Sequence, residues 1–266
     1  MNKGIVILCM KNAHYACAAF NLANSIKYHS PDIHITLLSD GIHNKAFSAI
    51  HFSQFDSIKE ISEKTVTEAK LSINKYSDYD CTLYVDADTI CTKPLEPLFE
   101  SLKGNSFKSN FIENYTQWTS EEIFKSFFGV EFGQTINSSW IYFESAKVFN
   151  SALEYYKKGF KLADISPKWG TQLPDEMFLN AALTKNKVDA KIDFDVMFFD
   201  EKKEEFNFTV LCNKYYFITF YGNRNNTRLG LQEWYDRELQ KISNSKGFQH
   251  RFKIHDILAN KLVMQK

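Results

Sequence analysis

The 266-residue chain sets 32 lysines and arginines against 32 aspartates and glutamates, so no global field draws it to nucleic acid. A hydrophobic fraction of 44%, with 24 Phe and 13 Tyr, excludes a disordered chain; only 10 Gly and 5 Pro argue against repeats or low complexity. Five scattered cysteines (Cys9, Cys17, Cys81, Cys91, Cys212) are odd in number and form no Cys-x-x-Cys pair. They fit reduced thiols better than a disulfide frame or a zinc site.

In chain order, Gly4 to Met10 is a short apolar run ending at Lys11-Asn12, the pattern of a buried strand and too short for a signal peptide. No stretch approaches the roughly 18 apolar residues of a membrane span, and a soluble, cytoplasmic protein is expected. Tyr15 to Tyr28 places Ala16, Ala19, Phe20, Ala23 and Ile26 at helical spacing, and Ser30-Pro31-Asp32 stops the helix. Ile33 to Leu38 predicts a second strand. Strand, helix, strand implies a parallel α/β sheet with a right-handed crossover. A third strand is expected near Phe55–Ile61, a helix over Lys64–Tyr76, and a strand at Cys81–Val85. Short helices follow at Leu95–Leu102 and at Glu121–Phe128, the latter behind Ser120. Ile136–Phe143 reads as strand, Ser145–Tyr156 and Pro174–Leu183 as helices. Val188–Phe199 and Phe208–Tyr221 read mostly as strand, and Leu231–Ile242 and Phe252–Val263 as helices. The segment 105–133 gives no clear pattern apart from its one helix.

Three Asp-x-Asp patterns occur, at Asp78/Asp80, Asp86/Asp88 and Asp193/Asp195. The first lies in a polar turn and reads as solvated, and the third reads as ordinary strand-edge acids. Asp86 and Asp88 end a buried strand, where open α/β sheets bind ligands. Residues two apart on extended backbone point the same way, so both carboxylates can face one hard divalent cation.

The run Leu83-Tyr84-Val85-Asp86-Ala87-Asp88-Thr89-Ile90, followed by Pro94-Leu95-Glu96-Pro97-Leu98-Phe99, resembles the metal-binding segment of glycogenin-like, family-eight retaining glycosyltransferases of the GT-A fold. The resemblance extends over most of residues 3 to 225. It implies an α/β GT-A domain over 1–228, with a central, mostly parallel mixed sheet flanked by helices, and a helical extension over 229–266. It also implies a nucleotide-diphosphate sugar donor, usually UDP-linked, and Mn²⁺ (or Mg²⁺) as the ion. Asn12-Ala13-His14-Tyr15 is similar to the family's uracil-and-ribose loop, with Tyr15 as the stacking aromatic. Lys70, sixteen residues before Asp86, stands where the family places a donor-contacting base. Ile136-Asn137-Ser138-Ser139-Trp140 resembles a strand whose Asn touches the donor sugar. Pro174-Asp175-Glu176, then Leu179-Asn180, resembles the helix start near the anomeric carbon. Asp175 would bind sugar hydroxyls, and Glu176 stands where the family usually has Gln.

The chain also departs from the pattern. The family closes its metal site with a His, and Thr219 of Ile218-Thr219-Phe220-Tyr221-Gly222 occupies that position. Asn225 replaces a downstream Lys, leaving Arg224 and Arg228, beside Gly222, as candidate diphosphate clamps. Two alternatives follow. A sugar-phosphate nucleotidyltransferase would want a Gly-rich phosphate loop, and Met10–Tyr15 has no Gly. A non-catalytic nucleotide-sugar binder would explain the lost His. Acceptors are expected to be glycans, glycolipids or proteins, and Trp118, Trp140 and Trp169 read equally as stacking platforms or as core residues. Residues 241–266 carry six basic side chains against Asp256, with apolar residues interleaved, a pattern suited either to a packed helix or to contact with an anionic membrane.

Overall fold

The computed structural model describes residues 2–111, 118–133, 135–166, 172–192, 212–219 and 229–245. In order they form β1 (Lys3–Cys9), α1 (Ala13–His29), β2 (His34–Ser39), α2 (Ala49–Phe52), β3 (Ser57–Glu60), α3 (Val66–Leu71), α4 (Ile73–Tyr76), β4 (Cys81–Asp86) and β5 (Thr89–Cys91). Then follow α5 (Glu96–Leu102), β6 (Phe107–Phe111), α6 (Glu121–Phe128), β7 (Ile136–Phe143), α7 (Lys147–Lys157), α8 (Asp175–Asn186), β8 (Phe217–Thr219) and α9 (Leu229–Ser243). Six strands take the order β3-β2-β1-β4-β7-β6 in a mixed, mostly parallel sheet; β5 and β8 form an antiparallel pair. Among the described residues no helix is long and apolar enough to cross a membrane.

The chain divides into two compact units. The amino-terminal unit comprises Lys3–Ile61, Val85–Ser101 and Phe194–Lys266. Here β1 and β2 pair in parallel from Gly4↔His34 to Cys9↔Ser39, and β2 pairs in parallel with β3. The β1 stretch Ile5, Val6, Ile7 is fully buried, as expected of a strand covered on both faces. Helix α1 buries Ala16, Ala19, Phe20, Ala23 and Ile26, the residues whose spacing predicts it, against β1 and β5. Each large apolar side chain so buried contributes about 1.5–3 kcal/mol before entropy is counted.

The middle unit comprises Met1–Asn2, Ser62–Tyr84 and Leu102–Asp193. Helices α3, α7 and α8 pack on one another, and α8 lies on β7. All eight residues of β7 are buried, Trp140 completely. β6 runs antiparallel to β7, with an irregularity between Ser109 and Asn110 where Ser109 Oγ lies 2.7 Å from the carbonyls of both Asn137 and Trp140, either of which can accept its one proton. Gly133 leads into β7 so close to α8 that a Cβ there would sit 2.3 Å from Thr184 Oγ1, which excludes any larger residue without movement.

Several expectations change. The helix predicted over 64–76 breaks into α3 and α4 at Ser72, whose φ of −109° and ψ of 2° leave the helical region while its N–H caps Ala69 and Lys70. Strand β5, three residues long, and strand β6 are not anticipated. Residues 188–192 are not strand, although Ala190 accepts from Ser109 N at 3.0 Å beside β6. Residues 212–214 are helical, and the described part of the last predicted strand shrinks to β8. Trp118 and Trp140 are 2% and 0% exposed, so they are core residues rather than stacking platforms. Trp169, Asp193, Asp195 and most of the basic C-terminal segment lie outside the described residues.

Candidate functional site

The sequence-predicted residues fall into two groups, one in each unit. In the amino-terminal unit the group gathers where strands end. β1 exits through Lys11, whose φ of 67° is left-handed; its N–H donates to Asp40 Oδ2 at 2.9 Å. Asp40 follows β2 and also accepts from Ile42 N at 3.2 Å, so one carboxylate ties the ends of β1 and β2. Asn12 is the N-cap of α1, accepting from His14 N at 3.3 Å, which satisfies an end-of-helix donor. Tyr15 is 42% exposed, with its ring 4.2 Å from that of His14. An aromatic in the first turn of a buried helix that stays so exposed is not a core residue.

Asp86 is the last residue of β4, and Ala87 and Asp88 form a bend rather than continued strand. Burial still alternates: Ala87 is buried, and the aspartates on either side are half-buried. Asp88 runs straight into β5, whose register pairs Thr89 with Thr219 of β8. The backbone therefore brings Thr219 one ladder position from Asp88. Among the described residues no cluster of three or more His, Cys, Asp or Glu could hold a metal. Two half-exposed carboxylates flanking one buried residue nonetheless fit a hard divalent cation, which takes its remaining oxygens from water or phosphate. Gly222, Arg224 and Arg228 lie outside the described residues.

In the middle unit the structure brings Lys70, Asn137, Asp175 and Glu176 together. Asp175 and Glu176 form the first turn of α8, where negative charge is stabilised by the helix dipole. Glu176 Oε1 accepts from Asn137 Nδ2 at 3.1 Å and from Ser138 N at 3.0 Å, with Ser138 Oγ at 3.5 Å on the margin of bonding range. Lys70 is 8% exposed, not the solvated lysine that its helical position suggests. Its ammonium lies 3.8 Å from Asp175 Oδ2, donates to Ser138 Oγ at 3.3 Å and stands 5.5 Å from the Tyr84 ring centroid. Asp175 Oδ2 is itself buried and accepts no hydrogen bond from the described protein atoms. Helix α3 is fixed beside this cluster by Thr67 Oγ1, which donates to the carbonyl of Leu173 just ahead of α8.

Two residues of this cluster have no predicted role. Ser138 links Lys70 to Glu176 through its side chain and its N–H. Asn180, 1% exposed, accepts from Ile136 N at 3.1 Å and donates to Glu176 O at 2.8 Å. The available signal is compositional: Asn-Ser-Ser interrupts an apolar strand, and Asn180 interrupts the apolar face of α8, which a chain does only where buried polar groups find partners.

No family profile and no curated protein matches the chain. Solved structures do. The apo structure of WbbM, a bifunctional glycosyltransferase, superposes with TM-score 0.57 and 14% identity over 93% of this chain and 51% of WbbM. An LgtC active-site mutant carrying a glutamine-to-glutamate exchange superposes with TM-score 0.51 and 14% identity, over 89% of this chain and 95% of that one. The galactosyltransferase LgtC bound to donor and acceptor sugar analogs gives 0.44 and 19% identity over 67% and 69%. The chain thus spans about half the length of WbbM. At these identities the first two likenesses assign the fold: an α/β GT-A-type sheet flanked by helices.

Proposed function

We propose that the chain is a metal-dependent glycosyltransferase that moves a hexose from a UDP-linked donor to an acceptor hydroxyl with retention. The observation that carries this reading is the carboxylate of Glu176, half-buried at a helix start and held by Asn137 and Ser138 beside a lysine–aspartate pair. Such an anion, fixed before substrate arrives, suits stabilisation of a sugar that gains positive charge as its bond to diphosphate breaks. The GT-A-type fold shared with WbbM and LgtC and the strand-end position of Asp86 and Asp88 support it.

Each residue then has a defined task. Tyr15 stacks on the base, and Asn12 keeps the loop ahead of it in place while capping α1. Asp86 and Asp88 would hold Mn²⁺ or Mg²⁺, with Thr219 proposed as a further ligand. When bound, the cation supplies charge stabilisation to the leaving diphosphate. Lys70 holds Asp175 in place, and Asp175 Oδ2 offers its acceptor to sugar hydroxyls. Asn137 and Ser138 orient Glu176 as an ion-pair stabiliser. Gly222, Arg224 and Arg228 are proposed to contact the diphosphate. The acceptor is a hydroxyl of a glycan, glycolipid or protein.

A screen of nucleotide sugars with Mn²⁺ tests this. A donor at about a hundred times its Kd adds roughly 2.7 kcal/mol to stability. One UDP-hexose should raise the melting temperature only with metal present, and should be turned over. Stabilisation by no nucleotide sugar, with no turnover, would overturn the proposal. Donor binding without transfer or hydrolysis would instead mark a binding protein, and pyrophosphate release from UTP and a sugar phosphate would mark a nucleotidyltransferase.

A further inference from the structure

Asn180 joins the two elements that carry the Glu176 cluster. It sits one helical turn after Glu176 on α8, and its Nδ2 donates to the Glu176 carbonyl at 2.8 Å. Its Oδ1 accepts from the N–H of Ile136 at 3.1 Å, and Ile136 immediately precedes Asn137 at the start of β7. One buried amide therefore grips the backbone of the carboxylate residue and the backbone next to that residue's partner. Ile136 N and the Glu176 carbonyl would otherwise need other partners, since a polar group shielded from water is costly to leave unpaired. The amide also sets the spacing of α8 from β7. An aliphatic residue of equal size would fill the space but set no register.

We infer that Asn180 is a positioning residue for Glu176, fixing its carboxylate on Asn137 Nδ2 and Ser138 N; its consequence for turnover rests on the glycosyltransferase reading. Asn180 touches no substrate. It acts through the Glu176–Asn137–Ser138 geometry, and its effect should disappear when Glu176 can no longer act as an anion.

Two readouts test this. The first is independent of activity. In an amide NMR spectrum of the full chain, ionisation of Glu176 should move the Ser138 N–H strongly, because that N–H donates directly to its carboxylate. Asn180→Ala should abolish this pH-dependent shift, as Glu176→Gln does. Asn180→Asp, which keeps an acceptor for Ile136 N, should weaken it and serves if the alanine variant does not fold. A Ser138 titration unchanged in both Asn180 variants would overturn the inference whether or not the protein is an enzyme. The second readout is a double-mutant cycle on the turnover of whichever UDP-hexose the screen identifies. A misplacement of about 1 Å costs on the order of a hundredfold. Asn180→Ala should therefore lower kcat by about that factor with donor KM little changed, and should be nearly silent in the Glu176→Gln background. Multiplying effects would mean that Asn180 is merely structural, while leaving the glycosyltransferase reading intact.

Discussion

The two groups of polar residues differ in where the fold places them: one at a helix start against a buried strand, the other where strands end. In the middle unit the acids are enclosed by the protein's own donors: Glu176 takes Asn137 and Ser138, and Asp175 faces the buried Lys70. In the amino-terminal unit Asp86 and Asp88, as half-buried as Asp175 and Glu176, flank a buried alanine at the end of a strand, and Tyr15 is 42% exposed. An anion that must meet developing positive charge gains from being fixed before substrate arrives. Anions that must take up an external cation gain from remaining accessible. The first arrangement is costly to disturb for folding, the second for ligand binding. Substitutions in the two groups should therefore separate stability from activity.

The largest effect is expected at Asp88. Asp88→Asn removes a charge from the cation site while keeping shape, and loss of one electrostatic stabiliser costs about 10²–10³ in kcat. Because the residue is half-buried at the end of a strand and the exchange keeps its shape, stability should stay within about 1 kcal/mol. Donor turnover and a melting curve on the same sample check both halves. Unchanged turnover would remove Asp88 from the cation site; a collapse in stability would mean it belongs to the enclosed class.

Lys70→Met makes the reverse test. Methionine fills the space of the stem but takes the ammonium away from half-buried Asp175, and breaking a buried pair costs about 3–5 kcal/mol. Denaturant unfolding should show a loss toward the lower end, since the pair is 3.8 Å apart rather than in close contact. Adding Asp175→Asn should restore part of that stability without restoring activity. A loss below about 1 kcal/mol would show that water reaches the pair as it does a surface ion pair.

These two tests also mark what the sequence makes legible. β1, β7 and α6 are readable within a residue or so because local signals agree. An apolar run ends at polar residues for β1, and α6 has Ser120 capping Ile123 N at one end and left-handed Gly129 at the other. The residue types of the site are readable too. Their pairing is not: Asn137 and Glu176 meet across 39 positions, and no local pattern encodes that contact. Lys70 looks like any exposed helical lysine, because its burial depends on β7 and α8 packing around it. Ser72 breaks its helix through a backbone choice that propensity alone does not force, and β5 is too short for alternation to register.

Tyr15 gives a smaller and more selective effect. Stacking of an aromatic on a base is worth about 1–3 kcal/mol. Tyr15→Ala should raise donor KM by about tenfold, with kcat nearly unchanged, whereas Tyr15→Phe should stay close to wild type. As an exposed side chain it should leave stability within about 0.5 kcal/mol. A fall in stability without a change in KM would mean that the ring packs rather than stacks.

The smallest effect is the dependence of stability on mild acid, and it separates the units most directly. Among the described residues all five histidines fall in the amino-terminal unit, and the middle unit has none. Burial lowers the pKa of His29 below 6.5 against the upward pull of Glu238. Burial likewise lowers that of His43, against Glu60 and Asp40. His43 also holds Ser39 Oγ at 2.8 Å, beside the Asp40 that ties the ends of β1 and β2. Below pH 6.5 the unfolded chain takes up protons that the folded one refuses. Stability from these residues is thus complete above 6.5 and is lost as pH falls from there toward their folded values. Hydrogen exchange at pH 7 and 5.5 should show protection lost first in the β1 and β2 amides, with β6 and β7 held. His29→Gln with His43→Gln should flatten the difference. Equal loss in both units would locate the acid sensitivity in the carboxylates, which both units share, and would remove histidine as the feature that tells them apart.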